Sequence, residues 1–250
     1  MSATLALLRF EVVRTSRSRR YLFFSFGFPV LFYLVFSHTG AGAHVRLIGL
    51  AWPLYFMVSM MAYGVLGAGM NAGGIRLAAE RTSGWTRQLR ITPLPPFAYV
   101  LGKICLGLIL TLPVMAIITV LAVVVGHVSL SFVDWLKVMA ALLVAAIPFA
   151  VLGVLLGYLM TSDTGGPLTG GLLFLLAYFG GLFQPVQSMP SGLKTIAYLT
   201  PTYHLAGVGW WALGGRTQVL PDVAVLAAYL VAFAALAVWR VRVDEARPGA

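Results

Sequence analysis

One cysteine stands in 250 residues, Cys105, and an apolar run surrounds it. Neither a disulfide nor a cysteine-based metal site can be built from it, so it reads as a small apolar filler. Acid is almost as scarce. The seven acidic residues, Glu11, Glu80, Asp134, Asp163, Asp222, Asp244 and Glu245, all fall near the termini, in loops or at helix ends. Ion-coupled carriers keep a titratable group near the membrane midplane, and charge-ringed pores need several, so both classes are disfavoured. No G-x-x-x-x-G-K-[ST] occurs, which excludes nucleotide binding through a P-loop. Gly67-Ala68-Gly69-Met70-Asn71-Ala72 fits a dinucleotide fingerprint in form only, because it follows an apolar helix pattern rather than a strand. The four histidines, His38, His44, His127 and His204, are unpaired in sequence with carboxylates. They offer no metal or nucleophile constellation, which also disfavours an intramembrane enzyme. No metal and no cofactor is expected in this chain.

What the sequence does have is apolar length. Hydrophobic residues make up 60% of it, and the mean hydropathy is +0.93. A soluble fold would need a core larger than the surface available to cover it. Six apolar runs can be counted, at residues 21–37, 47–70, 97–125, 132–160, 167–186 and 219–239. Each is long enough to cross about 30 Å of hydrocarbon at about 1.5 Å per residue, the first only just. Backbone polar groups in lipid must be satisfied within the chain, and the alternation of a barrel is absent. The expectation is an all-α integral membrane protein of six transmembrane helices, one domain over residues 1–250.

Basic residues set the topology. Arg9, Arg14, Arg17, Arg19, Arg20, Arg76, Arg81, Arg87, Arg90, Lys103, Arg240, Arg242 and Arg247 fall on one side, against Arg46, Lys137, Lys194 and Arg216 on the other. Thirteen against four places both termini and the segment after the second run in the cytoplasm. The same positions explain the net charge of +10 through headgroups, leaving no free basic domain for a nucleic acid. Ser18-Arg19-Arg20-Tyr21-Leu22-Phe23 looks superficially like a twin-arginine signal, but five further spans follow, and the first run reads as a retained helix. In residues 2–20, Leu5, Leu8 and Val12 recur at helical spacing with arginines on other faces, the pattern of an interfacial helix. Arginine is used far more than lysine, alongside much alanine, glycine and valine, which points to a high-GC bacterium and its cytoplasmic membrane.

Between the second and third runs lies a polar wedge, Ala79 to Pro93. It has a short amphipathic helix pattern. Thr82 or Ser83 can cap it, Trp85 and Leu89 share one face, and Arg87 and Arg90 project elsewhere. Pro93, Pro95 and Pro96 stop it. Glu80 is placed to bond nearby backbone or an arginine of the N-terminal helix. Gly153 with Gly157, and Gly166 with Gly170, are small-residue pairs that allow close helix packing, within one subunit rather than between two. From Pro185 through Pro190 to Pro201 the chain is too interrupted to cross and too apolar for an ordinary loop. It reads as one or two short outer-leaflet helices containing His204, with Tyr198, Tyr203, Trp210 and Trp211 as interfacial aromatics.

Six spans join Glu80-Arg81-x-x-Gly84, Gln88-Leu89-Arg90-Ile91-Thr92-Pro93 and a helix restarted at Leu101-Gly102-Lys103. Phe183-Gln184-Pro185, Met189-Pro190 and Pro201-Thr202 precede the last span. Over essentially the whole chain this combination resembles the ABC-2 type permease subunits of ATP-binding cassette exporters. The resemblance implies a half-transporter, with a second permease copy or paralogue and two separate cytoplasmic ATPase subunits that bind ATP and Mg. It also implies that residues 80–93 are the coupling helix contacting the ATPase, through Glu80, Arg81, Gly84, Trp85, Arg87, Gln88, Leu89, Arg90 and Pro93. An apolar path without buried charge suits a hydrophobic or amphiphilic substrate, such as a drug, an antibiotic or a lipid-like molecule. Polysaccharide or other glycoconjugate export is the alternative, and a membrane scaffold without transport is the rival from another class.

Overall fold

The second apolar run is much longer as a helix than as a hydropathy peak. In the computed structural model, which describes residues 13–14, 19–38, 44–45, 48–85 and 96–245, helix α2 spans Trp52–Thr82. Its 31 residues extend about 46 Å. It starts later than residue 47, because Leu50–Ala51 (β2) pairs antiparallel with His44–Val45 (β1), and Pro53 then occupies the first turn. It also continues twelve residues past Met70. Hydropathy ends near Asn71 because the remaining turns are small and polar, yet these turns are buried by protein rather than by lipid.

Around α2 are packed α1 (Arg19–Phe36), α3 (Pro96–Val124), α4 (Phe132–Ala145), α5 (Ile147–Leu159) and α6 (Ser162–Phe179). Helices α7 (Ser191–Leu199), α8 (Pro201–Ala212) and α9 (Val219–Glu245) complete the order. Trp52–Thr82, Tyr99–Val124, Phe132–Leu159 and Val219–Val243 are each long and apolar enough to cross a membrane. In α1 the residues with described side chains form an apolar stretch at Phe26–Phe36. The interfacial helix read over residues 2–20 lies almost wholly outside the described residues, as do positions 86–93 of the coupling segment.

Other boundaries also differ from the sequence reading. The run 132–160 is broken at Ala146. Pro148 has no N–H to give the Val144 carbonyl, and the Phe149 amide shifts to Ala146 O, which also accepts the regular bond from Ala150. The fifth run begins five residues early, at Ser162, through a capping box between Thr161 and Thr164, and it ends at Phe179 rather than Val186.

The α2–α5 contact explains the first glycine pair. A Cβ on Gly153 would lie 3.0 Å from Met70 Cα, and one on Gly73 would lie 2.6 Å from the Gly153 carbonyl carbon. Gly153 and Gly157 therefore let the two backbones touch within one chain, whereas a Cβ on Gly166 or Gly170 would meet nothing within 4 Å. Because backbone cannot give way as a side-chain tip can, Gly73→Ala and Gly153→Ala are expected to cost about 1–3 kcal/mol each. Gly170→Ala is expected to be near neutral, and thermal unfolding in lipid nanodiscs would rank the three.

Candidate functional site at the base of the polar wedge

Glu80 and Arg81 do not lie in a loop. They occupy the last turn of α2, where they face different neighbours. Glu80 is only 2% exposed. Tyr99 and Lys103 approach it from α3, four residues apart and hence on one face of that helix. The Tyr99 hydroxyl donates to Oε2 at 2.5 Å, and Lys103 Nζ lies 2.8 Å from Oε1 and 2.7 Å from Oε2. Arg14, in the N-terminal segment, donates from Nη1 to Oε1 at 3.2 Å. This is the arginine contact read from the sequence. One carboxylate thus holds a phenol and two cations, one of them, Lys103, itself 2% exposed.

Arg81 turns toward α5. Its Nη1 donates to the carbonyls of Gly157 at 3.2 Å and Tyr158 at 3.0 Å, and its guanidinium lies 5.0 Å from the Tyr158 ring centroid. Carbonyls in the last turn of a helix lack intrahelical partners, and a cation there also complements the helix dipole. Gly157 thereby serves twice, as a close-packing position and as an acceptor.

Thr82 and Ser83 close α2 instead of opening a new helix, which corrects the capping role read for them. Thr82 Oγ1 donates to Ala78 O, and the Ser83 and Gly84 amides return to Ala79 O and Arg81 O. Gly84 takes φ +75°, the left-handed conformation in which a β-carbon is strained, and so ends the helix. The backbone is helical again at Trp85, which is half-buried. Arg87, Gln88, Leu89, Arg90 and Pro93 lie outside the described residues. The sequence reading used Lys103 as a topology charge and as part of the restarted-helix motif, not as a partner of Glu80, and did not single out Tyr99. Their i,i+4 spacing, with an acid one short loop upstream, was the available signal.

At the opposite end of the bundle, the prolines delimit short elements: Pro185 precedes the 3-10 turn Val186–Ser188, Pro190 precedes α7, and Pro201 opens α8. His204 is not unpaired. Its Nδ1 lies 2.6 Å from Asp222 Oδ1, and its Nε2 lies 2.9 Å from Tyr198 O. The partner is 18 residues away in the first turn of α9, beyond any sequence spacing rule. Tyr198 and Tyr203 pack edge to face at 5.1 Å. Trp210 is not interfacial. It is fully buried, stacked on Tyr55 at 4.9 Å, whereas Trp211 is 47% exposed.

The geometry describes a membrane bundle with an electrostatic hub at the base of a polar connection, and comparison with known proteins agrees with that description. The profile described as "ABC-2 type transporter" matches residues 2–208. A Bacillus subtilis (strain 168) protein named "Putative transport permease YvfS" is 27% identical over 236 residues, covering 94% of this chain and 96% of that protein. Members of this family are multi-pass transmembrane subunits that work with ATPase subunits and are not ATPases themselves. The profile covers more than half of the chain, and this protein therefore belongs to the ABC-2 type transporter family as a transport permease.

Proposed function

We propose that this chain is the permease half of an exporter in a bacterial cytoplasmic membrane. In this reading it crosses the membrane six times with both termini inside. It pairs with a second copy or a paralogue and moves a hydrophobic or amphiphilic molecule outward. Two cytoplasmic ATPase subunits drive it, pressing on residues 80–93. The observation that carries this reading is the buried Glu80 hub. A force applied to the segment after Gly84 acts directly on α2, and Glu80, Lys103 and Arg81 pass it to α3 and α5 without slack. Packed side chains and ion pairs of this kind carry coupling between helices, which a solvated loop would not. Trp85 and Leu89 serve as the apolar anchors of the ATPase contact, with Arg87 and Arg90 facing acidic residues on the partner.

Co-purification with candidate ABC ATPase subunits tests this, followed by measurement of ATPase stimulation in lipid. Alanine at both Trp85 and Leu89 is expected to weaken association by about 2–4 kcal/mol, the range of paired interface anchors, and so to abolish recovery of the complex. Retention of the complex and of full stimulation in that variant would refute the coupling assignment.

A further inference from the structure

A second concave feature lies well away from the Glu80 hub. Helices α4, α8 and α9, with the start of α5, enclose a groove of about 930 Å³. Among the described residues Lys137 is the sole ionisable side chain on its wall; Val144, Pro148, Trp211, Val223 and Leu230 represent the rest. Along α4 and α5 the groove runs from Lys137 to Pro148, and along α9 from Val219 to Leu230. Eleven residues at about 1.5 Å each give about 16 Å on either wall, which is half of a hydrocarbon core of about 30 Å. The groove therefore has the depth of one leaflet. Both walls begin at the same end, since α4 and α9 each enter the bundle there.

Charge is ordered along the same axis. Lys137 stands at the mouth, 57% exposed, and its Nζ pairs with Asp134 Oδ1 at 3.1 Å, one turn nearer the helix start. Ser131 Oγ donates to the other carboxylate oxygen, Oδ2, at 2.7 Å and holds that acid in place. Moving outward, a ligand meets apolar wall, then ammonium, then carboxylate. The exposed Trp211 indole lies on the groove wall, the residue type that settles at headgroup level.

We infer that this groove binds one membrane phospholipid with a zwitterionic amine headgroup, of the phosphatidylethanolamine type. An acyl chain lies along α4 and α9, the phosphate accepts from Lys137, and the lipid ammonium meets Asp134. The order of chain, phosphate and ammonium in such a lipid matches the order of wall, cation and anion in the protein. A phosphatidylglycerol headgroup would satisfy Lys137 but bring no cation to Asp134. The inference rests on the chain spanning a membrane and on nothing about its ATPase or cargo.

The purified full chain in nanodiscs of phosphatidylglycerol, doped with a phosphatidylethanolamine carrying a photoactivatable acyl chain, provides the test. Cross-links are expected to concentrate on peptides containing Val144–Pro148 and Val223–Leu230. Lys137→Glu should reduce them about tenfold, as expected for loss of one charge-assisted hydrogen bond. Asp134→Asn should lower labelling by the phosphatidylethanolamine probe to that of a phosphatidylglycerol probe carrying the same acyl chain. Ala227→Trp, at an exposed wall position, should block labelling by filling the groove. Labelling spread evenly over all lipid-facing helices would overturn the proposal. So would indifference to Lys137→Glu, or cross-links that instead join two copies of the chain across this face.

Discussion

Replacing Glu80 with alanine is expected to destabilise the protein by about 3–5 kcal/mol and to abolish ATPase stimulation, the largest effect of any single change considered. The size follows from what remains behind. Lys103 is as buried as Glu80, and without the carboxylate its ammonium loses a short ion pair inside a low-dielectric site. Tyr99 loses the acceptor of its hydroxyl, and Arg14 loses the contact that ties the N-terminal segment to α2. The stability and coupling effects can be separated. Glu80→Leu, Tyr99→Phe and Lys103→Met together remove the carboxylate, the phenol and the buried ammonium of the hub. Apolar replacement of a buried ionic cluster is often neutral or stabilising, so this variant should unfold within about 1 kcal/mol of wild type. Its ATPase stimulation should still be lost, because the ionic link from the wedge to α3 is gone. Thermal unfolding in nanodiscs and ATPase assays on the reconstituted complex would read the two effects. A triple variant that is stable and fully stimulated would reduce the hub to a structural support.

Trp210→Ala is expected to cost on the order of 3 kcal/mol, while Trp211→Ala next to it changes stability by less than about 0.5 kcal/mol. Both residues are tryptophans in one turn of α8, so the contrast isolates tertiary position. Trp210 stacks on Tyr55 and donates from Nε1 to Tyr55 O at 3.3 Å. Tyr55 in turn donates its hydroxyl to Gly181 O, just past the end of α6. Removing the indole leaves a cavity and disconnects α8 from α2 and the α6 terminus. Lipid is as apolar as the core, so the loss is one of packing and hydrogen bonding rather than of transfer from water. That places the cost near the lower end of the range for large-to-small core changes. The same unfolding assay compares the two variants, and equal effects would contradict the burial difference.

Much of this architecture is legible without coordinates. The bilayer demands about 20 apolar residues per crossing, and the chain supplies such runs plainly; basic residues then mark their ends. The polar wedge stood out for the same reason, since a stretch with mixed charge conflicts with its surroundings. Its family assignment followed from short motifs in fixed places between those runs. Pairing was not legible. A helix surrounded by lipid and by other helices is apolar on every face, so periodicity no longer tells inside from outside, and Trp210 and Trp211 look alike. Helix ends were blurred where protein rather than lipid does the burying, as in the last twelve residues of α2.

Composition and charge placement by themselves made this a multi-pass helical membrane protein with a distinctive polar connection, because the solvent imposes those features one residue at a time. Only the folded chain decided that Glu80 is the buried partner of Lys103, Tyr99 and Arg14. Likewise, only the fold joined His204 to Asp222 and let Gly153 admit the backbone of α2. Each of those depends on which helix faces which, a relation between distant segments that close packing sets and local sequence does not encode.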